Sequence, residues 1–146
     1  MSNNLSVKPS ILFWIAGVVF LIWNGFGCFA YLMDQTLSDA DYAKAYGDAM
    51  ASVRDLYPVW ATAGYAIAVW GGLLAAILFL LRKKMAVPIF ALSLLAAIIS
   101  FIPGFTMSAF RDAAGPTAWV MPIMVFVLGL IEVFYSRNMR TKGVLR

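Results

Sequence analysis

Four apolar stretches, residues 11–33, 59–81, 86–107 and 117–136, each reach the length that a helix needs to cross a bilayer. About 20 mostly apolar residues, rising about 1.5 Å apiece, match a hydrocarbon core about 30 Å thick. The stretches fill most of the 146 residues. The chain therefore reads as a single transmembrane domain over residues 1–146, all-α, an integral membrane four-helix bundle. With 12% charged residues against 63% apolar ones, it also departs from the soluble balance of roughly a quarter charged. The first stretch is about twice as long as a signal-peptide core and leads to no small-x-small cleavage site, so it is read as retained.

The positions of the charges assign the two sides. Lys8, Arg82, Lys83, Lys84, Arg137, Arg140, Lys142 and Arg146 are eight of the eleven cations, and all fall on one face. The positive-inside rule places both termini and the 82–85 turn in the cytoplasm, and the 34–58 and 108–116 loops outside. The basic tail is expected to hold the anionic leaflet rather than a nucleic acid, so membrane lipid is one expected partner. Trp14 and Tyr135 mark the inner interface, and Tyr31, Tyr57, Trp60 and Trp119 the outer one. Trp23 and Trp70 lie deeper, either as bulky packing or as a ring platform for a solute.

Between the first two spans, apolar or small residues at Tyr42, Ala45, Tyr46, Ala49, Met50, Val53 and Leu56 recur at helical spacing. They predict an amphipathic extracytoplasmic cap helix over residues 38–57. Ser38 is its N-cap, with Asp41 at the capping-box position. Five aspartates against Lys44 and Arg54 give this loop a local charge of −3.

Helix contacts in lipid rest on small residues that let backbones approach. Gly64, Ala68, Gly72 and Ala76 recur every four residues on the second span, and Ala96, Ser100 and Gly104 do so on the third. A turn of about four residues makes these spans antiparallel neighbours. The two seams are expected to face each other or a neighbouring subunit. Pro103 and Pro122 are helix-bending positions toward the outer side.

Polar groups at membrane depth are the functional leads. Asn24, about 20 Å from the inner boundary, shares its level with Tyr65, Thr62 and Ser100, and reads either as an interhelical hydrogen-bonder or as part of a solute site. Glu132, about 6 Å in, reads either as an inner-surface carboxylate paired with Arg137, Arg82 or Lys83, or as a proton carrier. The two are not expected to meet. The intramembrane polar site comprises Asn24, Tyr65, Ser100, Trp23 and Trp70.

No histidine is present, which removes bis-histidine haem, histidine zinc sites and imidazole-based triads. The lone Cys28 can form no internal disulfide or redox pair. Gly25-Phe26-Gly27-Cys28-Phe29-Ala30 has dinucleotide-fingerprint spacing, but it lies inside a span with no preceding strand. Catalytic, cofactor and metal residues are therefore expected to be none, and the chain not to be an enzyme.

The run Trp23-Asn24 with Gly27 and Tyr31, the segment Tyr57-Pro58-x-Trp60, and Val69-Trp70-Gly71-Gly72-Leu73-Leu74 leading through Leu80-Leu81-Arg82-Lys83-Lys84 to Ala86-Val87-Pro88 resemble a family. It is one of small, uncharacterised four-helix bacterial inner-membrane proteins, sometimes labelled sugar transporters. The resemblance covers roughly the first 100 residues. It implies a bacterial inner membrane and a shared role for Trp23, Asn24, Tyr31, Trp60 and Trp70. Two functions are carried forward. The first is a non-enzymatic accessory, scaffold or interaction subunit, as a homo-oligomer or in a larger membrane complex. The alternative is a small-solute, possibly sugar, transporter or channel built around Asn24.

Overall fold

The computed structural model describes residues 7–146. Every regular element in that range is helical: α1 (Ile11–Thr36), α2 (Asp39–Tyr46), α3 (Asp48–Val53), a 3-10 turn (Arg54–Leu56), α4 (Val59–Leu80), α5 (Ala86–Thr106), α6 (Ser108–Ala114), a second 3-10 turn (Gly115–Trp119) and α7 (Val120–Thr141). α1, α4, α5 and the stretch Ser108–Thr141 that ends in α7 are long and apolar enough to cross a membrane. The chain is thus all-α, with the character of a membrane protein.

Two of the long helices, α1 and α7, run on past their apolar stretches at the C-terminal end, while α4 and α5 match theirs to within one residue. α1 starts behind Ser10, whose hydroxyl accepts from the Phe13 amide at 3.4 Å, and continues to Thr36. α7 continues to Thr141 through the exposed Arg137, Asn138 and Arg140. Hydropathy ends where the apolar residues end, whereas a helix continues as long as its backbone bonds do.

The 38–57 segment is not one helix. It breaks into α2 and α3 at Gly47, whose φ of 89° and ψ of 156° fall in a region essentially restricted to glycine. The start of α2 does follow the sequence: Asp41 N–H donates to Ser38 Oγ at 3.2 Å, and that hydroxyl donates to Asp41 Oδ2 at 2.7 Å. The 108–116 segment, expected as loop, contains α6. There Phe110 is buried and meets the Tyr57 ring edge-on at 5.4 Å.

The long helices pack in the order α1–α4–α5–α7. Gly64, Ala68, Gly72 and Ala76 are all buried on α4. A Cβ at Gly64 would stand 3.2 Å from the Ala96 carbonyl oxygen and 3.5 Å from Ser100 Cβ, so this seam is used between α4 and α5.

The basic segments converge at one end. Arg82, at φ 60°, turns the α4–α5 hairpin and donates from Nε to the Val144 carbonyl at 3.0 Å and from Nη2 to the Val7 carbonyl at 2.9 Å. The Arg146 amide donates to the Arg82 carbonyl at 2.7 Å. Val144 and Leu145 are thereby buried beneath a cluster of rings. In that cluster Phe13 stacks on Phe79 at 4.5 Å, and Phe20 meets Phe79, Phe90 and Tyr135 edge-on.

Candidate functional site: a polar node shared by the four long helices

One turn on the loop side of the ring cluster, Asn24 of α1 is buried, and its Nδ2 donates to Glu132 Oε1 of α7 at 2.5 Å and to the Phe20 carbonyl at 2.9 Å. Glu132 is 5% exposed. The node has its floor on α4. A Cβ at Gly72 would overlap Asn24 Oδ1 and come within 3.1 Å of Ser93 Oγ on α5. Ser93 in turn donates to the Ala68 carbonyl at 2.6 Å. Each of the four long helices therefore contributes one residue: Asn24, Gly72, Ser93 and Glu132.

The bond between Asn24 and Glu132 overturns the expectation that they cannot meet. Two boundary shifts close the gap. Gly17 against Leu80, Asn24 against Gly72 and the Tyr31–Tyr65 edge contact set the α1–α4 register, so that Ile11 projects about one and a half turns, about 8 Å, beyond the end of α4. Asn24 is lower by that distance. On α7 the helix ends at Thr141, which raises Glu132 to about 13 Å above its end. Side chains also lean toward the N-terminus of their own helix. α1 and α7 run in opposite directions, so the two side chains lean toward each other.

Glu132 is also not the surface ion pair that sequence suggested. Its hydrogen bond is to a neutral amide, while Arg82 is committed to the Val144 and Val7 carbonyls. A carboxyl group held this deep, with an amide rather than a cation as its partner, is costly to keep in a membrane. α1 and α7 have little other packing between them beyond the Phe20–Tyr135 contact, so the node is the principal polar tie between these two helices.

The remaining sequence-selected residues lie elsewhere. Ser100 is buried two turns away along α5, donating to the Ala97 carbonyl, and its own carbonyl accepts from Tyr57 Oη at 2.5 Å. Tyr65 packs edge-on against Tyr31 at 5.2 Å. Trp23 is half-buried, and Trp70 is 45% exposed on the outer surface. Ser93 escaped the sequence reading. Reflecting α4 onto α5 about Arg82 pairs Gly64 with Ser100 and brings Gly72 within one residue of Ser93, so the hairpin narrows the choice once its centre is known.

At the opposite end, Arg54 clasps the α1–α2 junction. Its Nη2 donates to the Asp34 carbonyl at 2.6 Å and its Nη1 to the Leu37 carbonyl and Asp39 Oδ1 at 3.1 Å, with the guanidinium 4.4 Å above the Tyr42 ring. Asp34 Oδ1 is the one buried side-chain oxygen or nitrogen without a hydrogen-bond partner among the described residues. Burial first, and then the Asp34 carboxyl group nearby, pushes the Tyr46 and Tyr57 phenols up to about 12. No protein-family model, curated protein or solved structure matches the chain. The functional reading therefore rests on this geometry.

Proposed function

We propose that the chain is a four-span protein of the bacterial inner membrane, with both termini cytoplasmic, acting as a non-enzymatic accessory or interaction subunit of a membrane assembly. The observation that carries this reading is the filled interior. Phe13, Phe20, Phe79, Phe90 and Tyr135 occupy the space between the helices at the basic end, with Val144 and Leu145 packed against them. Directly above, Asn24 and Glu132 are bonded to each other across the bundle. An interior stoppered in this way favours a scaffold over a conduit. The small-residue seam lies inside the chain, so contact with a partner falls to the outer surface. There α2 and α3 form the extracytoplasmic cap, and Asp39, Asp41, Asp48 and Asp55 are exposed.

Extraction in mild detergent followed by affinity purification tests this reading. A stoichiometric partner, or a second copy, is expected to copurify and to be lost when Asp48 and Asp55 are both changed to lysine. Recovery of a partner-free monomer from native membranes defeats it.

One observation favours a second reading, a small-solute transporter that couples to protons: the Asn24–Glu132 bond itself, a titratable group at depth joined to a polar side chain. In that case proteoliposomes take up a solute, and Asn24→Leu and Glu132→Gln abolish the uptake. Inert wild-type liposomes across a solute panel remove this alternative.

A further inference from the structure

Two apolar hollows lie side by side on the loop half of the molecule, one of about 290 Å³ between α5 and α7 and one of about 220 Å³ that also reaches Met50 of α3 and Phe110 and Ala114 of α6. They share Phe101, Phe105, Trp119 and Pro122, so they adjoin across these residues and are taken together as one trough. The Trp119 ring stacks on Phe105 at 4.7 Å and 22°, and Phe110 of α6 lines the end nearest the loops.

At that end stands Arg111. Its Nη1 donates to the Phe105 carbonyl at 3.0 Å, which holds the guanidinium beside the trough while leaving it exposed. The other two cations at this end are neutralised, Lys44 by Asp41 and Arg54 by Asp39, each at 3.1 Å. Arg111 makes no such pair among the described residues, although Asp112 is its neighbour in sequence. A single unneutralised cation thus sits at the mouth of a hydrocarbon-lined groove, beside a tryptophan of the kind that settles at headgroup level.

We propose that this trough is a binding site for one anionic membrane phospholipid. An acyl chain lies along Phe101 and Phe105, and the headgroup is held by Arg111. A cation at a membrane surface attracts an anionic lipid by an amount worth about a fivefold change in affinity.

The experiment is native mass spectrometry of the full chain, delipidated in detergent and titrated with phosphatidylglycerol or with phosphatidylcholine carrying the same acyl chains. The expected result is one phosphatidylglycerol retained in preference to phosphatidylcholine. Arg111→Gln weakens that retention about fivefold and removes the preference, whereas Arg111→Lys preserves it. Ile98→Trp, which fills the trough from an exposed lining position, lowers retention of both lipids. In the wild-type chain, a phosphatidylglycerol bearing a photoreactive acyl chain labels α5 and α7 peptides, a readout that needs no variant to fold. Equal retention of the two lipids, retention unchanged in Arg111→Gln, labelling spread over all helices, or crosslinking of the trough to another protein chain each overturns the proposal.

Discussion

Asn24 and Glu132, 108 positions apart in the chain, share a hydrogen bond of 2.5 Å from Nδ2 to Oε1 that joins α1 to α7. Removing either partner acts on a contact for which backbone packing supplies little substitute. Glu132→Gln keeps an acceptor at Oε1 and is expected to leave unfolding within about 0.6 kcal/mol of wild type, the average for interhelical hydrogen bonds in membranes. Glu132→Leu loses the bond and is expected to cost up to about 1.7 kcal/mol. Unfolding titrations in mixed micelles, followed by tryptophan fluorescence, check the order. A leucine variant as stable as the glutamine one means that the bond contributes nothing to stability.

Gly72 is the residue that admits the Asn24 side chain. Gly72→Ala drives a methyl group into Asn24 and is expected to cost about 1–3 kcal/mol, as overpacking does. Asn24→Ala clears that space, so the double variant is expected to be more stable than the two single losses added together, a coupling of about 0.5–3 kcal/mol. Gly25→Ala and Gly104→Ala, with open space around the new methyl, serve as near-neutral controls. Additive behaviour in the Gly72–Asn24 cycle rules out the close approach.

The four spans could be read from hydropathy because length and apolarity are local properties of the sequence. The Ser38–Asp41 cap was also legible, since it depends on residues three apart. The site was legible only in part. Asn24 and Glu132 stood out as polar residues among apolar ones, but whether they met depended on helix offset, and hydropathy fixes an end only to about a turn. Ser93 and Ser100 are chemically alike, and only the α4–α5 register separates the one beside the node from the one bonded near Tyr57. The break at Gly47 depends on a single dihedral angle that the regular spacing around it concealed.

Asp41 gives the loops a pH dependence. The Ser38 hydroxyl first, and Lys44 second, hold its carboxyl below the usual carboxylate range. A lowered folded value means that the charged form favours the folded α2. Its contribution is therefore complete above the ordinary carboxylate value and is lost as the pH falls through the lower, folded one. Amide exchange at Tyr42–Lys44 in micelles, taken relative to the intrinsic rate at each pH, is expected to rise over that acidic window in wild type, and not in Asp41→Asn. The same acid-dependent rise in the asparagine variant assigns the transition to another group.

Arg82 holds two opposing contributions. Its φ of 60° is a conformation that costs an ordinary residue about 1–2 kcal/mol. The side chain offsets this by bonding the Val144 and Val7 carbonyls, which draws both end segments under the ring cluster. Arg82→Ala keeps the strained backbone without those bonds and is expected to be the less stable substitution. Arg82→Gly also loses the bonds but relieves the strain, so it is expected to recover about 1 kcal/mol relative to alanine. Both variants loosen Val144 and Leu145, although the backbone bonds of Arg146 to Arg82 and Lys84 remain, and protease cleavage at Arg140 and Lys142 is expected to speed up in each by a similar factor. Thermal melts in detergent separate the two effects, because strain relief raises the glycine melt above the alanine melt while the tail remains equally loose. If cleavage slows back to the wild-type rate in Arg82→Gly, the turn conformation holds the tail and the guanidinium does not.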